Sequence, residues 1–386
     1  MAISDPELPY RAYAGAIGSS AVLLVGLLTL GMFPDAVETW FTEGFGTAAS
    51  RLVGGLCGTV PISLAEWVEG LLIAWLLLAP LPTLLAVSKK ERSLTHAAQS
   101  GILQLLSLAG LALVLFYGLW GLNYGRAPAA ERLGWEAVDL NDPDAPDELA
   151  TLAEKLVARV NALYVEIHGN EDSGSISVPG EPLDLEEILD HGWEKVVADL
   201  GLHPTVAKRR GPAKPLLSSP VWSYLGIAGF YFPFTGEANY NRDQPQWQRS
   251  HTIAHEKAHQ RGIASEDEAN FFGFLVCIGS DDPYVQYGGW LFAQRKILYA
   301  LIQSDPERAQ TLVSGRLPGV QRDIDEMRAF WQGYSGVASD VGSAVNDAYL
   351  RANRVEGGIG SYSLSARLIV AWTREDPRAS GKVDNL

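Results

Sequence analysis

The stretch that decides how the rest of the chain is read runs from Asp243 to Asn270: DQPQWQRSHTIAHEKAHQRGIASEDEAN. His255 and His259 stand four residues apart, so on a helix they leave one face about one turn apart. Two imidazole nitrogens spaced this way can reach a single ion at about 2 Å each. Glu256 follows the first histidine and can reach a water on that ion without ligating it. The run His255-Glu256-Lys257-Ala258-His259 therefore supplies two ligands and a general base for metal-assisted hydrolysis. Asp243-Gln244-Pro245 reads as an N-cap and first helical position, and Gly262 as a left-handed residue just past the helix end.

Catalytic zinc usually keeps three protein ligands and one open position. The carboxylates that follow the turn, Glu266, Asp267 and Glu268, are the candidates for the third. Ser265-x-x-Glu268 reads as a capping box, which would fold Glu268 back onto the Ser265 amide. Glu266 is then the freer carboxylate and the chosen ligand, with Glu268 as the alternative and Asp267 last. Asn270, one turn beyond Glu266, is placed to hydrogen-bond a ligand imidazole. His251 extends the histidine row but lies about 12 Å along the axis from His259, with Thr252 rather than a carboxylate after it. It reads as a polar neighbour of the site. His96, His168, His191 and His203 are scattered and read as surface positions.

Upstream, three stretches are long and apolar enough to span a bilayer, which takes roughly 20 residues. They run from Ala12 to about Phe33, Val68 to Val87 and Gly101 to Leu122, and Pro80 and Pro82 predict a kink in the second. The head of the first carries Asp5 and Glu7 and shows no cleavage pattern, so it reads as an uncleaved anchor. The loop Ser88-Lys89-Lys90-Glu91-Arg92 is the densest basic cluster beside any span, whereas the preceding loop holds Asp35, Glu38, Glu43 and one Arg51. By the positive-inside rule this puts residues 88–99 in the cytoplasm and everything after Leu122 outside, although Arg126 and Arg132 weigh the other way.

A formal net charge of −15 and the lack of any basic stripe argue against a nucleic-acid partner. Two cysteines, Cys57 and Cys277, offer no disulfide framework and read as free, so any metal is held by histidine and carboxylate. After a Gly- and Pro-bearing linker at 123–144, helices are predicted over Pro146–Ile167 and Leu185–Leu200, with a glycine-bearing loop between. Lys208–Pro220 reads as a mobile loop. Val221–Tyr240 (VWSYLGIAGFYFPFTGEANY) reads as a hairpin or small antiparallel sheet turning at Thr235-Gly236. Helical stretches follow at 245–261, 265–279, 288–303 and from 318 onward.

Glu266-x-x-Ala269-Asn270 after the histidine run is similar to the pattern of gluzincin-type metallopeptidases. The closer resemblance joins the three spans, Pro233-Phe234-Thr235-Gly236-Glu237-Ala238-Asn239, the His255–Gly262 run, Glu266–Asn270 and Asp347-Ala348-Tyr349-Leu350 with Asn353. Together these resemble the bacterial family called domain of unknown function 3810, which implies a membrane zinc metallopeptidase without an established substrate. Only six residues separate His259 from Glu266, which calls for a sharp turn, and Ser265 stands where metzincins place a third histidine.

The expectation is thus a mainly α chain: a three-helix membrane anchor (1–122), then an α-rich α+β zincin-like domain (123–386). Its partners would be the bilayer and a peptide or protein substrate. Tyr349, Arg351, Asn353 and Tyr362 are unranked candidates for stabilising the oxyanion. A metal-binding sensor or scaffold is the alternative, which Glu256 disfavours because a purely structural site needs no base.

Overall fold

In a computed structural model, residues 7–173, 184–352 and 362–384 are described. Three helices are long and apolar enough to cross a membrane: Tyr10–Leu30, Leu64–Ser88 and Leu94–Leu119. Spans two and three begin upstream of their apolar runs, because Ser63 and Ser93 cap them by accepting from the amides of Glu66 (3.3 Å) and His96 (3.2 Å). Span two is broken as its prolines predict, into Leu64–Leu78 and Leu81–Ser88. Spans one and three run side by side in the same direction. The Tyr10 hydroxyl meets Ser100 Oγ at 3.2 Å near their starts, and Gly125 closes on Gly31 beyond their ends. The basic loop at residues 88–92 therefore lies at one end of the spans and the rest of the domain at the other, about 39 Å away for a 26-residue helix.

The segment between spans one and two is helical rather than a simple loop: Val37–Phe45 is wound as a π-helix and continues as Gly46–Cys57. Val37, Phe41, Thr47, Ser50 and Gly54 are buried against the protein. The other face presents Trp40, Phe45, Leu52 and Leu56, exposed at 76, 62, 64 and 65%. A helix with one face packed on protein and an apolar face turned outward has the composition of a membrane-interface element.

Beyond the spans, helices Ala145–His168, Leu185–Leu200, Gln246–Gln260, Glu266–Gly279 and Pro283–Ser304 share one hydrophobic core. Glu266–Gly279 is its centre, buried around its whole circumference through Phe271, Phe272, Phe274, Leu275 and Val276. The stretch after 318 resolves into Pro318–Gly333, Val337–Ala352, Tyr362–Glu375 and Pro377–Asp384. Of these, Tyr362–Glu375 returns to the core, setting Trp372 edge-on to Phe274 at 5.5 Å.

Three strands form one sheet in the order β1-β3-β2: β1 Lys214–Pro215, β2 Gly229–Phe232 and β3 Glu237–Tyr240. The β2–β3 hairpin is antiparallel and turns at Gly236, whose φ of +65° suits glycine. The sheet is mixed rather than antiparallel, because β1 joins β3 in parallel. This also corrects the reading of 208–220 as a mobile loop. Arg210 and Lys214 are buried at 1 and 2% exposure, Lys214 by an ion pair with Glu237 and by the carbonyls of Cys57 (2.8 Å) and Ile62 (3.0 Å). Both cysteines are free. Hydropathy falls at Leu122, yet packing continues across that point. Arg126 donates to Glu38 Oε2 (2.6 Å) and to the Gly262 carbonyl (2.8 Å), and Ser50 Oγ donates to the Gln260 carbonyl (3.0 Å).

Candidate metal-binding site

The helix that carries both histidines, Gln246–Gln260, starts slightly later than expected, with Pro245 at the N-cap and no side-chain cap bond. The carboxylate of Asp243 does not cap it. The Asp243 amide is instead held by Asn241 Oδ1 at 2.9 Å, in an Asx turn. The other end closes with the Ile263 amide on the Ala258 carbonyl (3.1 Å) and the Gly262 amide on that of His259 (3.0 Å). That pair of bonds is a Schellman turn, and it needs the positive φ of Gly262, +81°. The turn delivers the Ile263 carbonyl to His259 Nδ1 at 2.7 Å. A carbonyl only accepts, so Nδ1 carries a proton, and in the neutral ring the Nε2 lone pair faces the site.

Two imidazole nitrogens and both oxygens of one carboxylate converge there. His255 Nε2 and His259 Nε2 are 3.1 Å apart, Glu266 Oε2 is 3.2 Å from His255 Nε2, and Glu266 Oε1 is 3.5 Å from His259 Nε2. Zinc bonds of about 2.0–2.1 Å at tetrahedral angles place ligand atoms about 3.3 Å apart, so these separations fit the edges of such a site. The ligand atoms of His255, Glu256 and His259 all lie within 4.8 Å of one another. Glu256 Oε2 and His255 Nδ1 are buried with no partner among the described residues. Buried polar atoms left this way are costly unless something binds them, and a cation with its water would reduce that cost for Glu256 Oε2.

The charges state the same demand. Burial pushes Glu256 up to about 7, against the pull of His255 and His259. Burial alone would lower His259, but the Glu266 carboxylate raises it to about 9. Glu266, half-buried, is held well below the usual carboxylate range by His259 and His255, against the effect of its burial. The carboxylates thus favour positive charge on His259, and a divalent cation would meet that need in the proton's place.

The neighbouring residues divide differently from the capping-box reading. Ser265 makes no side-chain cap bond, and Glu268 turns away to accept from Arg132 Nη2 (2.6 Å) and the Ala129 amide (2.7 Å). Asp267 accepts from Ser365 Oγ at 2.8 Å. No Asn270 side-chain bond to either imidazole occurs among the described residues; its carbonyl oxygen lies 3.2 Å from His251 Nε2. The His251 ring stacks on Phe292 at 3.9 Å, and burial, with His255 nearby, lowers it to about 3, so it is neutral and stands outside the cluster. Arg351 is exposed and pairs with Asp347 at 2.7 Å; Asn353 and the side chains of Tyr349 and Tyr362 lie outside the described residues. His96, His191 and His203 are exposed, and His168 is half-buried against Tyr164.

Four features of the site carried no signal in the sequence pattern. Lys257, inside the histidine run, is fully buried on the opposite face and pairs with Glu186 and with Asp190 (3.0 Å), which also binds Arg261 (2.7 Å). Trp120, one residue past span three, donates from Nε1 to the His259 carbonyl (2.7 Å) and sets its ring edge-on to the imidazole. Gly229 in β2 has to be glycine, since a Cβ there would stand 2.8 Å from Glu256 Oε1. A cleft of about 1540 Å³ opens over the cluster, walled by Trp120 and Tyr124 on one side and by β2 on another.

Fold and site together define a helical chain with three membrane-capable helices, carrying a partly buried two-histidine, two-carboxylate cluster beneath a cleft. The chain belongs to the family described as Protein of unknown function (DUF3810), whose model matches residues 41–370 and so includes the whole cluster. No curated protein and no solved structure matches it.

Proposed function

We propose that this chain is a membrane-anchored, zinc-dependent metallopeptidase, with His255, His259 and Glu266 holding zinc and Glu256 as general base. The observation that carries the reading is the convergence of the two imidazole Nε2 atoms, 3.1 Å apart, on the Glu266 carboxylate, with one oxygen 3.2 Å from His255 and the other 3.5 Å from His259, and the unpartnered Glu256 Oε2 beside them. Bound zinc would supply Lewis acidity and lower the pKa of a water in its open position to about 7. Glu256, buried beside the histidines with Oε2 unpartnered, is placed to take that proton and pass it on. Gly229 keeps the carboxylate's space clear, and Lys257, Arg261 and the Schellman turn fix the helix that carries it.

The peptide part of the reading rests on β2. It is an edge strand of the sheet and lines the cleft. The Asn241 amide bonds the Ala228 carbonyl at 2.8 Å, so by the alternation of an antiparallel ladder the backbone groups of Gly229 and Tyr231 point away from β3. An extended peptide can pair with such an edge. The cleft also begins at Trp120, at the end of span three, which favours substrates lying close to a membrane. Purified full-length chain should hydrolyse a dye-labelled unfolded protein, lose the activity to a zinc chelator and regain it with zinc. Hydrolysis indifferent to chelation would contradict the metal mechanism.

The orientation is part of the proposal. Lys89, Lys90 and Arg92 are cytoplasmic and the cleft is outside; Arg126 and Arg132, which weigh against this, have folded-state partners in Glu38 and Glu268. A cysteine at residue 90 should react with an impermeant thiol reagent only after the membrane is breached, and one at residue 172 in intact cells. The opposite pattern would invert the orientation.

A further inference from the structure

The cleft is lined by more charge than the metal cluster uses. Among the described residues that line it, the carboxylates are Glu256 and Glu266, whereas Arg295, Lys296, Arg316 and Arg328 contribute four cations. Composition does not account for this, because acidic residues outnumber basic ones in the chain by 45 to 30. The cations come from separate elements: Arg295 and Lys296 from helix Pro283–Ser304, Arg316 from the turn after Pro306–Ser314, and Arg328 from Pro318–Gly333. Arg295 and Lys296 share a helix face with Phe292 and Tyr299, at the i, i+3, i+4 and i+7 spacing that turns all four toward the cleft.

Arg316 is the informative member. Its Nε donates to Gln294 Oε1 (2.8 Å) and its Nη1 to Gln321 Oε1 (3.3 Å), both neutral amides that orient the guanidinium without neutralising it. Nη2 makes no hydrogen bond among the described residues, and burial, then Arg328 and Arg295, lower Arg316 to about 10, against the smaller opposing pull of Tyr287 and Asp325. Arg328 meets Asp325 at 3.2 Å, in a pair more than half exposed. A half-buried guanidinium held by neutral amides, with other arginines nearby, is stabilised by an anion supplied from outside, and its planar fork matches a carboxylate.

We propose that Arg316, with Arg295 and Arg328 beside it, forms an anion subsite that takes an acidic side chain of the substrate peptide. The assignment rests on the peptidase reading and narrows it to peptides carrying Asp or Glu within reach of the cleaved bond.

The test uses the full-length, zinc-loaded Glu256→Gln protein in detergent, which retains the ligands and stalls turnover. Its probes are two fluorescein-labelled unstructured decapeptides, identical except that three Glu in one are Gln in the other, read by anisotropy at low and high salt. The Glu peptide should bind about tenfold tighter, a factor worth about 1.4 kcal/mol, against the repulsion of an acidic chain. The preference should shrink with salt and fall below about twofold when Arg316→Gln is added. An Arg295→Gln, Arg328→Gln pair should weaken it too, which guards against a misfolded Arg316 variant. Equal binding of the two peptides, or a preference that survives both sets of substitutions, overturns the subsite. Parallel cleavage assays on the protein with Glu256 intact separate the two ideas. Cleavage of both peptides at equal rates, with equal binding, removes the subsite and keeps the peptidase. Charge-dependent binding without cleavage of either removes the peptidase and keeps the subsite.

Discussion

Glu256→Gln should retain zinc and lose hydrolysis by about 10²–10⁴-fold, the range supplied by a positioned general base. The separation of the two readouts follows from geometry. The Glu266 carboxylate lies 3.2 and 3.5 Å from the two imidazole Nε2 atoms and the imidazoles lie 3.1 Å from each other, so in the proposed assignment these three residues can hold the ion without Glu256. Glu256 is buried beside them, with Oε2 unpartnered and the hydrogen at Gly229 leaving it room. Glutamine fills the same space and cannot accept the proton. Zinc content by elemental analysis and initial rates on the unfolded substrate measure the two effects. A variant that hydrolyses as fast as the parent would remove the peptidase reading and leave a metal-binding scaffold in first place.

Glu237→Ala should cost about 3–5 kcal/mol of stability, the range for breaking a buried ion pair from one side. Glu237 is 2% exposed and pairs with Lys214, which is equally buried. Its oxygens also accept the Leu64 and Ala65 amides (3.2 and 2.8 Å), which open span two, and the Thr235 hydroxyl (2.9 Å). Removing it strands a lysine charge and uncaps a helix at once. Melting of the detergent-solubilised chain should fall by several degrees, and adding Lys214→Met should recover part of the loss. A melting temperature within a degree of the parent would show that this junction is not a major stabilising contact. The Pro233–Asn239 motif is explained here by structure rather than chemistry: Thr235 and Glu237 hold span two, and the Gly236 carbonyl accepts from Gln260 Nε2 at 2.9 Å.

What could be read in the sequence was what acts over short distances. The four-residue histidine spacing, the left-handed Gly262, the kink at Pro80 and the turn at Thr235-Gly236 are each fixed within one or two turns of chain. The failures are long-range. Glu268 fits a capping box locally, but Arg132, 136 residues earlier, offers a charged partner that a backbone amide cannot match. Lys214 and Arg210 look like solvated loop cations because, besides Glu237 and carbonyls nearby in the chain, their partners are the Cys57 and Ile62 carbonyls and Thr47, more than 150 residues away. The helix after Val37 escaped notice for another reason. Its apolar residues are divided between a protein-facing and an outward face, so no window is apolar enough to read as a span and no single stripe marks a core helix.

The ligand assignment is tested most directly by zinc content across one set of purified variants. His255→Ala, His259→Ala and Glu266→Gln should each hold well below one zinc per chain, because each removes an atom from the three-cornered site. His251→Ala and Glu268→Gln should hold as much as the parent, since His251 faces Phe292 and the Asn270 carbonyl and Glu268 faces Arg132. Equal zinc in all five variants and the parent, or loss in Glu268→Gln with retention in Glu266→Gln, would contradict the site as drawn.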